Sequence, residues 1–193
     1  LRHKLRFAVN GSPRDFTVVH GYDRTSYNMP AGQTNNQDVV NVTGVFAGWT
    51  ASDLVGTASD VAALTWAIYG PSPTVLPKEY ADLMASTAME RDYGLATFNL
   101  QRVTGQRGKF GAAYGHLGAT YGFQSQLIYF PALKFVLTVA TNIESNMQTQ
   151  PKDVLCFAYN NIAGLMLGEQ ISCNFTESSY YGSGCKCTPI QQQ

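Results

Sequence analysis

Polar positions interrupt the apolar ones least between Tyr114 and Asn142. Two runs there, Gln124-Ser125-Gln126-Leu127-Ile128-Tyr129-Phe130 and Phe135-Val136-Leu137-Thr138-Val139-Ala140, flank Pro131-Ala132-Leu133-Lys134. Both runs are rich in β-branched and aromatic residues, and the Pro-led spacer reads as a hairpin connection. Their apolar content is too continuous for a sheet with one wet face, so the pattern predicts strands covered on both sides. Just ahead lies His116-Leu117-Gly118. A glycine inside a strand marks a place where something approaches the backbone closely.

Elsewhere the period changes. Thr57-Ala58-Ser59-Asp60 is a helix start with an acid three residues after the cap. Val61, Leu64 and Ile68 follow at helical spacing, and Gly70-Pro71 stops the helix. A second helix is expected from Pro77 through Tyr80, Leu83 and Met84. After Pro151, the residues Val154, Leu155, Ala158, Ile162 and Leu165 or Met166 form one helical stripe, closed by Gly168. That third helix is expected to cover one face of the sheet.

Three short extended segments are also expected, at Leu5–Val9, Phe16–Tyr22 and Tyr93–Phe98, the first two separated by the turn-forming Asn10-Gly11-Ser12-Pro13. Residues 23–48 and 104–108 read as loops, and long loops in compact domains often serve a site. The resulting class is α+β, an antiparallel sheet flanked by helices. Residues 1–170 form the main unit and 171–193 an irregular, cysteine-containing tail.

Composition narrows the function classes. The chain has 193 residues, 45% of them hydrophobic and 12% aromatic, which fits one well-buried domain. Thirteen Lys and Arg balance thirteen Asp and Glu. Nothing in that balance points to nucleic acid or an anionic membrane, and no apolar run nears the roughly 20 residues that span a bilayer. The chain opens on Leu1 without a leader pattern, so it is expected to be a piece of a longer product. The four cysteines, Cys156, Cys173, Cys185 and Cys187, allow two disulfides in three connectivities. Zinc is the rival reading, against which stand the tight Cys185-Lys186-Cys187 spacing and the lack of a nearby His. Sequons at Asn41-Val42-Thr43 and Asn174-Phe175-Thr176 point to a secreted or extracellular glycoprotein.

The run Gly115-His116-Leu117-Gly118-Ala119-Thr120, with Gly122-Phe123, Ser125, the Pro131 hairpin and Thr141-Asn142, resembles the third active-site box of the serine β-lactamase and penicillin-binding-protein superfamily. The resemblance is to the class C, D-Ala-D-Ala carboxypeptidase and esterase branch. Leu54-Val55-Gly56-Thr57-Ala58-Ser59-Asp60-Val61-Ala62 resembles that family's supporting helix, with Asp53 where a Gly is common. Tyr93-Gly94-Leu95 resembles its Tyr-Gly-Leu-Gly pattern, and Gly21-Tyr22 resembles a pair that follows the second box.

The resemblance implies an acyl-serine hydrolase acting on a small-molecule or peptide substrate, with no metal or organic cofactor. A Ser in Ser-x-x-Lys attacks, a Tyr-x-Asn relays protons, and the third box supplies positive charge and an oxyanion N–H. By this resemblance His116 is catalytic and Ala119 gives the oxyanion N–H, while Leu117, Gly118 and Thr120 bind substrate. His116 can donate a hydrogen bond or act as a cation. Leu117 replaces a Thr or Ser, which is expected to favour esterase or peptidase work over β-lactam hydrolysis.

The first two boxes are expected to lie upstream of Leu1. Ser183-Gly184-Cys185-Lys186 has the spacing of the first but follows the third box, and Tyr159-Asn160-Asn161 falls in the last helix. His3 and His20 have no partner by spacing. A non-catalytic secreted binding relative on the same scaffold is the alternative, and an unrelated β-rich extracellular module a third reading.

Overall fold

The structure is a computed structural model. It describes residues 5–7, 18–25, 37–40, 51–52, 54–104, 111–120, 122–145, 149–175 and 185–190. Helices and antiparallel sheets mix along the chain, so the coarse α+β class holds.

The longest strands are β6 (Tyr114–Thr120), β7 (Phe123–Phe130) and β8 (Phe135–Thr141). With β5 (Phe98–Asn99) at the edge they form one antiparallel sheet in the order β5-β6-β7-β8. The β7–β8 hairpin has the expected Pro131–Lys134 turn, closed by Lys134 N–H donating to the Pro131 carbonyl at 3.3 Å.

Helix α1 (Ala58–Tyr69) starts where the sequence says it should. Thr57 accepts from the Asp60 amide, and the Asp60 carboxylate accepts from the Thr57 amide, so two end groups that would lack partners are satisfied. Helix α2 (Lys78–Arg91) follows Pro77 and ends at Asp92, which adopts a left-handed φ of 64°. Helix α3 (Thr149–Leu167) ends at Gly168, whose φ of 72° needs no Cβ.

The helices take opposite sides of the sheet. On what we term the back face, α3 lays Leu155, Tyr159 and Ala163 on Ile128 and Phe130, with Leu100 and Ala113 completing a dry core. Phe130 and Tyr159 stack with ring centres 4.5 Å apart. On the front face, α1 sets Trp66 against Tyr129 and Tyr69 against Tyr114. Strand β7 is therefore covered on both sides, as its composition predicts; residues 124, 126 and 128–130 are all buried.

Short strands close the periphery. β1 (Arg6–Phe7) pairs with β4 (Leu54–Val55). β2 (Tyr22–Asp23) lies between β3 (Gln37–Asp38), antiparallel, and β9 (Ile143–Glu144), parallel. Four expectations change. The segment Tyr93–Phe98 is a folded-back loop, with only Phe98 joining β5. Within the expected strand Phe16–Tyr22 only Tyr22 is β, and Phe16 and Thr17 lie outside the described residues. The 23–48 loop contributes β3 to a sheet. The tail is not wholly irregular: β10 (Ile171–Phe175) and β11 (Cys185–Pro189) form a hairpin against α3, its register setting Cys173 opposite Cys187. The Asn10–Pro13 turn, the Asn41 sequon, Ser183 and Gly184 fall outside the described residues.

Candidate functional site

Strand β6 divides its side chains between the two faces, because successive Cβ atoms alternate. His116 is paired with Leu127 and Gly118 with Ser125, so both share the front face with Tyr114 and Tyr129. Leu117 and Ala119 take the back face opposite Gln126 and Gln124. Strand β5 pairs with β6 only through Phe98–Gly115 and Asn99–Tyr114. From His116 to Thr120 no strand lies along the outer edge of β6 among the described residues.

His116 is half-buried on that edge. Its ring sits edge-on to Phe98 at 5.0 Å and to Tyr93 at 5.9 Å. Nδ1 lies 2.5 Å from the Leu117 carbonyl oxygen and Nε2 lies 3.3 Å from the Tyr93 hydroxyl. Gly118 is kept side-chain-free by its neighbour: a Cβ there would stand 2.4 Å from Ser125 Oγ. The front face thus presents an imidazole, bare main chain and a serine hydroxyl in a row. Ala119 brings its main-chain N–H to the same strand and turns its exposed methyl to the back. Thr120 ends β6 opposite Phe123.

Leu117 differs from its expected role. Its side chain packs against the back-face core, away from His116 and Gly118. Replacing a Thr or Ser by Leu at this position removes no hydroxyl from the front face.

The sequence analysis did not identify Tyr93 as a site residue. Its loop is tightly tied: Gly94 N–H donates to Thr97 O at 2.8 Å, Asn99 N–H to Asp92 O at 2.8 Å, and Thr97 Oγ1 to Leu95 O at 3.0 Å. Tyr69 Oη and Thr97 Oγ1 lie 2.7 Å apart beneath it. Gly94 presses on the end of α2, where a Cβ would meet Ala88 N at 2.6 Å. Asp92 and Ala96 both take left-handed conformations, at φ 64° and 47°. Such residues cost on the order of 1–3 kcal/mol each and persist only where the surroundings hold them. The sequence signal was Tyr93-Gly94, whose glycine allows this close approach.

The far end of the front face is closed by the segment before β2. Gly21 backs onto the Phe123 ring, and Tyr22 N–H donates to both Gly122 O and Asn142 O. Gly122 turns at φ 89° with Val39 so close that a Cβ would stand 2.6 Å from it. The buried Glu144 carboxylate accepts from Gly122 N–H at 2.8 Å, and buried Asp23 accepts from the Thr25 amide and hydroxyl. His20 has a partner that spacing did not reveal. Its Nδ1 lies 2.7 Å from Asp38 Oδ2, and this hydrogen bond holds the exposed Asp38 carboxyl below its ordinary range.

Under α1, burial pushes the Tyr114 hydroxyl up to about 12, helped by Tyr129, Asp82 and Tyr69. Burial also raises Tyr69 and Tyr129. These phenols stay neutral near the site. Tyr159, of the Tyr159-Asn160-Asn161 run, is buried in the back-face core and likewise raised to about 12. Cys185 and Lys186 lie in β11, on the hairpin that packs against α3.

Among the described residues no group of three His, Cys, Asp or Glu side chains is gathered to hold a metal. No described helix is long and apolar enough to cross a membrane. Comparison with protein families, curated proteins and solved structures finds no match to this chain.

Proposed function

We propose that the chain is the C-terminal part of a β-lactamase-related serine hydrolase, working through an acyl-serine intermediate on an amide or ester substrate. The observation that carries the reading is the outer edge of β6, unpaired from His116 to Thr120 among the described residues, where His116 and Gly118 share one face and Ala119 adds a main-chain N–H. An extended substrate can lie along such an edge as an added strand. Gly118 lets it approach, His116 supplies a polar or cationic contact, and an N–H of the strand stabilises the developing oxyanion. The reading requires a Ser-x-x-Lys and a Tyr box on a segment outside residues 1–193.

Because Leu117 faces the core, the residue at this position does not separate β-lactam, ester and peptide substrates. The same fact takes away one of the two supports for a non-catalytic relative, leaving the cysteine-containing tail as the other. A fluorophosphonate probe on the full-length protein decides between them. Labelling at one serine, slowed about tenfold or more in His116→Ala, is expected. Absence of labelling in the folded wild-type protein overturns the enzyme reading.

A further inference from the structure

Tyr93 and His116 meet at the mouth of the front face, and the geometry fixes which atom gives a proton to which. A carbonyl oxygen only accepts, so the contact between Nδ1 and the Leu117 carbonyl requires a proton on Nδ1. In the neutral ring that leaves Nε2 with a lone pair. The Tyr93 hydroxyl, facing Nε2 at 3.3 Å, is then the donor. We propose that Tyr93 is a positioning residue for His116: its hydroxyl holds the imidazole in the Nδ1–H form and fixes the ring over the outer edge of β6.

Two further observations support a built arrangement. The Asp92–Thr97 loop that carries Tyr93 is tied by its own hydrogen bonds and by the Tyr69–Thr97 contact, and two of its residues take left-handed conformations. Phe98, from the same hairpin, completes the ring's aromatic cradle at 5.0 Å from His116 and 4.3 Å from Tyr93. The phenol is nearly half exposed, at 46%, so it also fronts the space above the strand.

The arrangement has a chemical consequence. Neutral His116 spends its one N–H on Leu117 and its one lone pair on Tyr93, so it has no donor left for substrate. A proton added to the ring has one place to go, Nε2. The Tyr93 oxygen then becomes the acceptor and its O–H is released. The substrate group this pair recognises is a carbonyl or carboxylate oxygen, contacted by the released phenol O–H. That last step rests on the acyl-transfer reading above; the tautomer does not.

Nitrogen-15 NMR of the histidine rings in the full-length protein tests the proposal directly, with the His116 signals identified by their loss in His116→Gln. With the ring neutral, the expected spectrum has a protonated Nδ1 and a hydrogen-bonded, unprotonated Nε2. Tyr93→Phe is expected to shift the Nε2 signal and populate the Nε2–H form. A protonated Nε2 with bare Nδ1 in the wild-type protein overturns the proposal, and so does a folded Tyr93→Phe variant with unchanged ring signals. If the fluorophosphonate probe labels the protein, Tyr93→Phe is expected to slow labelling about tenfold, the size of one hydrogen bond. If the probe fails to label while the NMR result holds, the enzyme reading falls and the positioning role stands.

Discussion

The two faces of β6 carry different kinds of residue, and the difference separates what holds the protein together from what it could act with. Behind the strand, Leu117 joins Ile128, Phe130, Leu155 and Tyr159 in a dry core. In front stand His116, Gly118 and Ser125, with Tyr69 and Tyr93 nearby, whose hydroxyls meet Thr97 and His116. One residue step along the chain moves a side chain from one role to the other. A motif of three adjacent residues in a strand therefore does not present three side chains to one ligand. His116 and Gly118 act together; Leu117 between them belongs to the core.

Substitutions along β6 can break this division. Gly115→Ala is expected to do most damage, because a Cβ there would stand 2.0 Å from the Leu127 carbonyl oxygen, a main-chain atom that cannot swing aside. A loss of more than about 4 kcal/mol, or failure to fold, is expected in urea denaturation. Leu117→Ser comes next. It should cost roughly 2 kcal/mol by leaving a hydroxyl against the core, and leave the His116 ring signals in place. A Leu117→Ser variant that loses no stability and changes probe reactivity would put position 117 back on the front face.

Gly118→Ala tests the front. Its Cβ meets only the Ser125 hydroxyl, so about 1–2 kcal/mol is expected. Making the change in a Ser125→Ala background should recover most of that loss, and a double-mutant cycle measures the recovery.

A separate test is alkaline stability. Folding raises the Tyr114 and Tyr159 hydroxyls from an ordinary value near 10 to about 12. The unfolded chain therefore loses these protons first. Stability is full below about pH 10 and falls as pH climbs from there toward 12. Chemical denaturation across that window, paired with ultraviolet phenol titration, checks it. Tyr114→Phe and Tyr159→Phe should each flatten part of the fall.

Local pattern made much of the fold legible. The Thr57–Asp60 cap, the Pro77 start and the Pro131 hairpin all depend on residues a few positions apart, and each stands where the sequence puts it. The third helix forms too, but it buries Leu155, Tyr159 and Ala163, and Val154, Leu165 and Met166 of the expected stripe are exposed. What stayed hidden depends on long-range register. Nothing near Tyr22 announces Ile143 as its parallel neighbour, and nothing near Tyr93 announces His116. The tail hairpin was readable, since Ile171-Ser172-Cys173-Asn174-Phe175 alternates with period two, but the Ser and Gly around it read as loop. The Tyr93–Phe98 strand was misread because Gly94 and left-handed Ala96 fold the chain back. For the site, sequence located His116 and Gly118 on one strand, while which face each neighbour takes came from the ladder.

The parallel contact of β2 with β9 also bears on how the molecule is assembled. Asn142 Nδ2 reaches His20 O across 122 positions of chain. Closing so large a loop is entropically slow, whereas the β7–β8 hairpin closes over a four-residue turn. The sheet's centre can therefore nucleate early, and the contacts of Gly21 and Gly122 form late, so the far end of the front face is completed only when folding is nearly done.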